Sequence, residues 1–505
     1  MKKFLPGSRL RGLFRASGSF YFALPSPKRR TVLALSAIAT AAALAMGGLP
    51  GVVGEANAAT GPQTVVSLTF DDSNANQLAA AATMNSFNLD GTFYTNSGFI
   101  GAQNYLSRAN LNTLKANGHE IAGHTVNHPD LATIPAAEAT RQICNDRNTL
   151  LSWGFAVRSF AYPFASSTPE VETLVKNCGY NSARMLGDIR SRFGCADCGF
   201  AAATPPANPY YTQALDQVDS TWTLADMKST VTNAEAAGGW VQLTFHNICS
   251  TTSGCAAPST TSSIFRQFVQ WLAPRSTTKN TVVRTVGAVI GGAVKPAVAA
   301  ASTPPAGPGV NAIVNPSLET LGSDGLPSCF MRGGYGVNTA AFTMVTPGRT
   351  GTRAAKVTVT GYSDGDAKLL PTFDGGACSP TVTPGNTYSL RAWYKSTTPT
   401  QFAVYLRNPI GVWQYWTSSP WYAVSAATFT QAIWTSPAIP AGMTGISFGL
   451  NVFANGEITT DDYALYDSIG APVVQAPATA LVAPLQPPPV TGPVEVQAGT
   501  PMLVG

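Results

Sequence analysis

The sequence predicts two folded regions of different class, an α/β barrel followed by an all-β sandwich. Between about residues 62 and 285, apolar strand-like runs alternate with helix-like ones, the pattern of a parallel sheet with crossover helices. Between 311 and about 470 the runs are short, alternate in polarity and are separated by Gly, Pro and Asn turns, the pattern of an antiparallel sandwich. The length of 505 residues admits two or three domains of roughly 100–200 residues each.

Residues 1–58 read as a secretory signal peptide. A basic leader ending in Lys28-Arg29-Arg30 precedes an Ala/Leu-rich run from Thr31 to Met46, and Ala56-Asn57-Ala58 supplies small residues for cleavage. The apolar run falls short of the roughly 18 residues a membrane span needs, so no span is expected after cleavage. This leader holds eight of the 31 Lys+Arg and one of the 26 Asp+Glu, leaving 23 against 25, about −2 overall. The positive formal charge therefore belongs to the leader, and no basic surface for nucleic acid is implied.

In the barrel region, Ala75 to Phe87 predicts a helix and Gly91 to Thr95 a strand. Leu106 to Asn117 is helical and stops at Gly118, a natural C-cap. Further helices are predicted over 136–153, 169–177, 224–237 and 262–272, and strands over 159–162 and 241–245. Residues 286–310 read as a Pro/Ala-rich linker, made semi-rigid by its prolines, and 471–505 as a disordered Pro/Ala/Val-rich tail. Of eight cysteines, six (144, 178, 195, 198, 249, 255) lie in the first region and two (329, 378) in the second. Even counts predict disulfides within each region, with Cys249 and Cys255 closing the loop after His246.

The chemistry centres on two stretches. The apolar run Val65–Phe70 ends in Asp71-Asp72, and neighbouring residues at a strand end project in different directions, so one carboxylate is free to ligate while the other faces a reacting water. His124-Thr-Val-Asn-His128 puts two imidazoles four apart, which on a helical turn share one face and chelate one divalent ion. Two histidines and a carboxylate leave coordination positions open, a catalytic rather than a structural arrangement. The chain has only four histidines; three fall at 119–128, and His246 follows the apolar run 240–245.

Thr69-Phe-Asp-Asp72, Asn117-Gly-His-Glu-Ile-Ala-Gly-His-Thr-Val-Asn-His128, Phe160-Ala-Tyr-Pro-Phe164 and Leu243-Thr-Phe-His246 together resemble the polysaccharide deacetylase family and its NodB homology domain. The resemblance covers roughly 62–285. It implies a distorted, seven-stranded barrel and one divalent ion, usually zinc, on Asp72, His124 and His128. It further implies Asp71 as general base, His246 as general acid, and Tyr162 and Phe164 at the oxyanion and substrate, with the Phe164 N–H as donor. His119 is expected to be structural. Three departures stand out: Ser73 where the family usually has Gly, a fourth motif reduced to Val218–Trp222, and no arginine in the third motif to steady Asp71. Arg158 or Arg184 could supply that charge. The opening of the second region, Asn315-Pro-Ser-Leu-Glu319, and its close, Asp461-Asp-Tyr-Ala-Leu-Tyr466, resemble jelly-roll carbohydrate-binding modules, with Trp413, Trp416 and Trp421 as loop-borne glycan-stacking candidates.

The function expected is a secreted, metal-dependent deacetylase of N-acetylated glycans (chitin or peptidoglycan type), monomeric and acting outside the cell or in its wall. The alternatives are an O-acetyl xylan esterase using the same site and a glycan-binding wall protein with an inactive barrel.

Overall fold

The computed structural model describes residues 61–473 except 252 and 301. The predicted signal peptide and almost all of the predicted tail lie outside the described residues. Six strands build the parallel sheet of the first region: β1 (Thr64–Phe70), β2 (Thr92–Thr95), β3 (Glu120–Gly123), β4 (Ser159–Ala161), β5 (Ser182–Arg184) and β6 (Gly239–Phe245). A small parallel pair, β7 (Asn247–Cys249) and β8 (Ser259–Thr261), follows, and then β9 (Thr281–Val283). The sheet is seven-stranded in the order β5-β4-β3-β2-β1-β6, with β9 also pairing β1. β9 takes the first half of β1, at Thr64–Val66, while β2 takes its end, at Thr69 and Phe70, so the sheet forks along β1. Between β5 and β6 the irregular segment 209–218 carries the hydrogen bonds: the Thr212 N–H reaches Ala183 O (2.8 Å) and the Val218 N–H reaches Thr244 O (2.8 Å). The result is the distorted α/β barrel expected.

Every residue of β1 is buried, as a strand covered on both faces requires. Outside the sheet run α1 (Gln77–Asn85), α2 (Arg108–Ala116), α3 (Ala136–Ser152), α4 (Pro169–Asn177), α5 (Leu224–Ala237), α6 (Ser262–Leu272) and the short α7 (Arg275–Thr278) and α8 (Val286–Ile290). Ser107, Thr168, Thr223 and Thr261 cap four of these helices through their hydroxyls. Phe93 and Phe245 stack on Phe70 at the centre of the core, with Phe265 edge-on to Phe70 and Phe245.

The second region is two five-stranded antiparallel sheets. Its strands are β10 (Phe330–Tyr335), β11 (Thr339–Val345), β12 (Ala354–Thr360), β13 (Asp366–Pro371), β14 (Tyr388–Ser396), β15 (Phe402–Arg407), β16 (Trp413–Ser418), β17 (Ser425–Thr435), β18 (Gly445–Val452) and β19 (Gly456–Asp467). One sheet is β10-β13-β18-β15-β16 and the other β11-β12-β19-β14-β17. Alternate residues such as Val404, Leu406, Phe448 and Leu450 face Val357, Leu390 and Ile458 to form the core between them.

The segment expected as a linker is not loose chain. Val286 is in the barrel core, Arg147 of α3 donates to the carbonyls of Lys295 (2.6 Å) and Pro296 (2.9 Å), and Asn148 brackets Val298 through both its N–H and its carbonyl. All eight cysteines pair within their regions: 144–178, 195–198, 249–255 and 329–378. Cys144–Cys178 ties α3 to the end of α4 across 34 residues, a loop for which chain entropy gives roughly 3–4 kcal/mol. Replacing both by Ser should lower the denaturant midpoint by an amount equivalent to about 2–4 kcal/mol, measured on the full chain against the oxidised parent.

Candidate metal and catalytic site

The register of β1 on β6 runs unbroken from Thr64↔Gly239 to Phe70↔Phe245, so the residues that leave the two strands together are Asp71 and His246. The Asp71 N–H extends the ladder to Phe245 O (3.0 Å). The chain then turns sharply: Asp72 and Ser73 both have left-handed backbone, φ 72° and 62°. Glycine adopts this region without strain, whereas Ser73 is held there. Its hydroxyl accepts the Asn96 N–H (3.1 Å) and its carbonyl the Leu106 N–H (2.8 Å). The departure from Gly thus keeps a left-handed turn rather than changing it.

His124 follows β3, its N–H shared by Thr95 O (3.0 Å) and the Asp146 carboxylate (3.1 Å). The expected helical turn is absent. Residues 124–128 form an irregular loop with Thr125 at φ 71° and His128 at φ 57°, closed by the His128 N–H on Thr125 Oγ1 (2.9 Å). Side-chain bonding to nearby backbone competes with helix at such positions, and the loop still brings the rings to 4.8 Å. Asp72 Oδ1 lies 3.4 Å from His124 Nε2 and 3.3 Å from His128 Nε2, and one ligand atom from each residue falls within 4.8 Å of the others.

These residues fit a divalent ion. Atoms about 2.0–2.2 Å from a common tetrahedral centre lie about 3.3–3.6 Å apart, the separation seen on both sides of Asp72. His124 Nδ1 sits 2.8 Å from Ala161 O, and a carbonyl only accepts, so Nδ1 carries the proton and Nε2 offers its lone pair. Burial pushes the Asp72 carboxyl up, but a hydrogen bond from His124 and the charges of His246 and His128, when those rings are protonated, outweigh it and hold Asp72 well below the usual range; a bound cation would act in the same direction. Burial, with the neighbouring imidazoles, pushes His128 down to about 4, keeping it neutral and able to ligate.

Asp71 is 2% exposed and pairs with Arg184, whose side chain is wholly buried at the end of β5 with its guanidinium 5.1 Å from the Tyr94 ring. Arg184 takes Oδ2, leaving Asp71 Oδ1 buried with no partner among the described residues. His246 Nε2 is 4.0 Å from Asp71 Oδ2 and 3.9 Å from Asp72 Oδ2, so it stands over both carboxylates. Of the two arginines considered, Arg184 supplies the charge. Arg158 precedes β4 at the opposite end of the strands, where its charge acts on buried Glu120.

Phe164, at φ 56° and 61% exposed, sets its ring 4.6 Å from that of His128 at the rim. The turn's own bonds come from the Ala165 N–H to Tyr162 O and the Ser166 N–H to Pro163 O. Tyr162 does not face the site: its side chain is buried and its hydroxyl donates to Tyr210 O (2.9 Å). His119 is structural, with Nδ1 accepting the Gly91 N–H (3.0 Å). Trp222 of the weak fourth motif is buried against Phe193.

The tryptophan candidates are corrected. Trp413 and Trp416 lie on strand β16, not in a loop, and residues three apart on a strand face opposite ways. Trp413 stacks on Phe373 (4.8 Å), Trp416 packs on the sandwich core, and Trp421 is 8% exposed with Phe453 against it. Trp413 and Trp421 are thus buried, and Trp416 is half-buried.

Two supporting residues escaped the sequence reading. Gln77, fully buried at the start of α1, donates its amide to the carbonyls of both Asp71 and His246, locking the two strand ends together. Asp146 on α3 accepts the N–H groups of Ser97 (2.9 Å) and His124, and burial pushes it up to about 7. A carboxylate three or four residues from Ile143 and Leu150, on the buried stripe of its helix, was the available signal.

Residues 58–183 match the family model for polysaccharide deacetylase. Comparison with curated protein sequences gives no match. Among solved structures the chain is similar to a Streptococcus pyogenes deacetylase in complex with acetate, at 21% identity over 25% of this chain and 57% of that one, TM-score 0.24. It is also similar to a family 4 acetyl xylan esterase from Clostridium thermocellum (14% identity, 45% and 90% covered, TM-score 0.32). A third likeness is to a Bacillus subtilis peptidoglycan deacetylase (16%, 46% and 91%, TM-score 0.29).

Removing one member of a buried ion pair leaves the other uncompensated, at about 3–5 kcal/mol. Arg184→Met should lower stability by that order, and Asp71→Asn in the same chain should restore part of it. Urea unfolding of the two variants and the parent checks this; equal stability of Arg184→Met and the parent would show that the pair is not coupled.

Proposed function

We propose that the barrel is a divalent-metal-dependent deacetylase that removes N-acetyl groups from a glycan, of chitin or peptidoglycan type, and releases acetate. The observation that carries this reading is the convergence of Asp72, His124 and His128 within 4.8 Å, beside a second carboxylate and a third imidazole that the three do not need. The match of residues 58–183 to polysaccharide deacetylases supports it.

Asp72, His124 and His128 would hold the ion, zinc by its donor set of two nitrogens and an oxygen. A bound divalent ion supplies Lewis-acid polarisation of the acetyl carbonyl and acidifies a water. Asp71, steadied through Oδ2 by Arg184, takes the water's proton on Oδ1 as the oxygen–carbon bond forms. The Phe164 N–H donates to the carbonyl oxygen as it gains negative charge. His246 donates from Nε2 to the sugar nitrogen as the carbon–nitrogen bond breaks, so that acetate and a free amine leave. The exposed Phe164 ring, standing over His128, is the rim against which an acetylated sugar would rest. Pairing of all eight cysteines supports action in an oxidising compartment, outside the cell or in its wall.

The test is metal content and acetate release, measured in parallel on N-acetylglucosamine oligomers, peptidoglycan and acetylxylan. Asp71→Asn should keep its metal and slow turnover by about 10²–10⁴-fold, the range for a lost general base. Asp72→Asn should weaken metal binding. His246→Ala should be severe on amides and milder on an activated ester, whose leaving group needs little protonation. Release from acetylxylan alone would make the protein an esterase. Retention of full activity in both aspartate variants would refute the reading.

A further inference from the structure

The sandwich is seated on the loop that carries His124 and His128. Glu138, in the first turn of α3, is 2% exposed, and its carboxylate accepts the N–H of Gly375 from the sandwich (2.6 Å). It also accepts Arg141 Nε (2.8 Å) and Gln142 Nε2 (3.0 Å). Gln142 carries the contact onward: its Oε1 accepts the Asn127 N–H (2.9 Å), its Nε2 reaches Asn127 Oδ1 (3.3 Å), and its carbonyl accepts the Val126 N–H (3.2 Å). Val126 and Asn127 are the two residues before His128.

A second contact comes from the turn after β15. Asn408 Oδ1 accepts the N–H groups of Ile410 (3.1 Å) and Val412 (3.0 Å), which fixes Gly411 at φ 89° directly over Val126. A Cβ on Gly411 would lie 2.7 Å from Val126 Cγ1, and Val126 is only 3% exposed. Arg407, at the end of β15, donates to Asp374 O (2.6 Å) and so ties the Gly375 turn to the Asn408 turn. Between the two contacts lies a cleft of about 310 Å³, lined by Asn127, Arg141, Asp374 and Arg407 among others.

The two histidines are therefore supported from different places. His124 rests on the barrel, through Asp146 and Ala161. The backbone N–H of His128 rests on Thr125, inside its own loop, and the residues before it rest on α3, on Gly98 of the barrel, whose N–H bonds Val126 O (3.0 Å), and on the sandwich at Gly411.

We propose that the sandwich is a structural part of the metal site, with Glu138, Gln142 and Gly411 as positioning residues that set His128 through Asn127 and Val126. This rests on the reading of Asp72, His124 and His128 as metal ligands. Full-length protein would be titrated with zinc against a chromophoric chelator, and the visible absorption of its cobalt form recorded. The parent should bind one ion per chain and His124→Ala should not. If the parent binds none, or if His124→Ala binds equally, the metal reading itself fails.

With a binding parent, Glu138→Ala should weaken zinc severalfold, below the roughly 10-fold minimum of a group bonded directly to a metal ligand, and alter the cobalt spectrum. Gly411→Ala should weaken it severalfold, by straining a left-handed backbone position and by pressing on Val126, and Val126→Ala in the same chain should recover the part due to that contact, a coupling across the seam. Circular dichroism reports whether each variant is folded. The Gly411 pair decides the matter if Glu138→Ala does not fold. Folded Glu138→Ala and Gly411→Ala proteins with parental zinc affinity and cobalt spectrum would overturn the proposal.

Discussion

The site depends on the register of β1 against β6. Seven consecutive pairs end at Phe70↔Phe245, and the next residue of each strand is Asp71 and His246. A slip of one residue would turn every side chain of β1 to the other face, burying Asp72 where Asp71 stands. Gln77 guards the same alignment from the side, because it bonds the carbonyls of both strand ends at once. The strand core of Phe70, Phe93 and Phe245 therefore does more than fill the barrel: its packing holds a carboxylate and an imidazole opposite one another.

Around that fixed pair the polar groups are arranged by burial. Arg184 reaches Asp71 from β5, three strands away in the sheet order from β2, whose Tyr94 ring lies beneath the guanidinium. The third motif lacks an arginine, yet the charge arrives from the adjacent strand, since β4 and β5 end side by side. Equivalent electrostatics has been reached from a different position in the chain.

Much of this was legible in the sequence for local reasons. Helices 169–177, 224–237 and 262–272 and the two classes of sheet follow from periodicity and capping, which are short-range signals. Asp71, Asp72, His124, His128 and His246 stood out because histidine is so scarce here and strand ends are so well marked. What failed was direction. Tyr162 has the right place in its motif but points to Tyr210; Trp413 and Trp421 have the right chemistry but are buried against neighbours. The choice between Arg158 and Arg184 is a question of which end of a strand faces the carboxylates, and composition does not encode that. The spacing of His124 and His128 suits a helical turn equally well, and only Thr125's positive φ and hydroxyl bond decide for a loop.

The connection between barrel and sandwich has a consequence for how the chain responds to proteases. Pro/Ala-rich segments are ordinarily where a two-domain protein is nicked, because exposed backbone there adapts to an enzyme's cleft. Here the carbonyls of Lys295, Pro296 and Val298 are engaged by Arg147 and Asn148, and Lys295 Nζ is drawn onto Tyr180 O (2.8 Å). These residues are exposed, yet a protease would find their backbone carbonyls pinned to a helix and unable to settle into its cleft. The stretch that looks most like a cutting point is instead stitched down, and digestion would begin elsewhere on the surface.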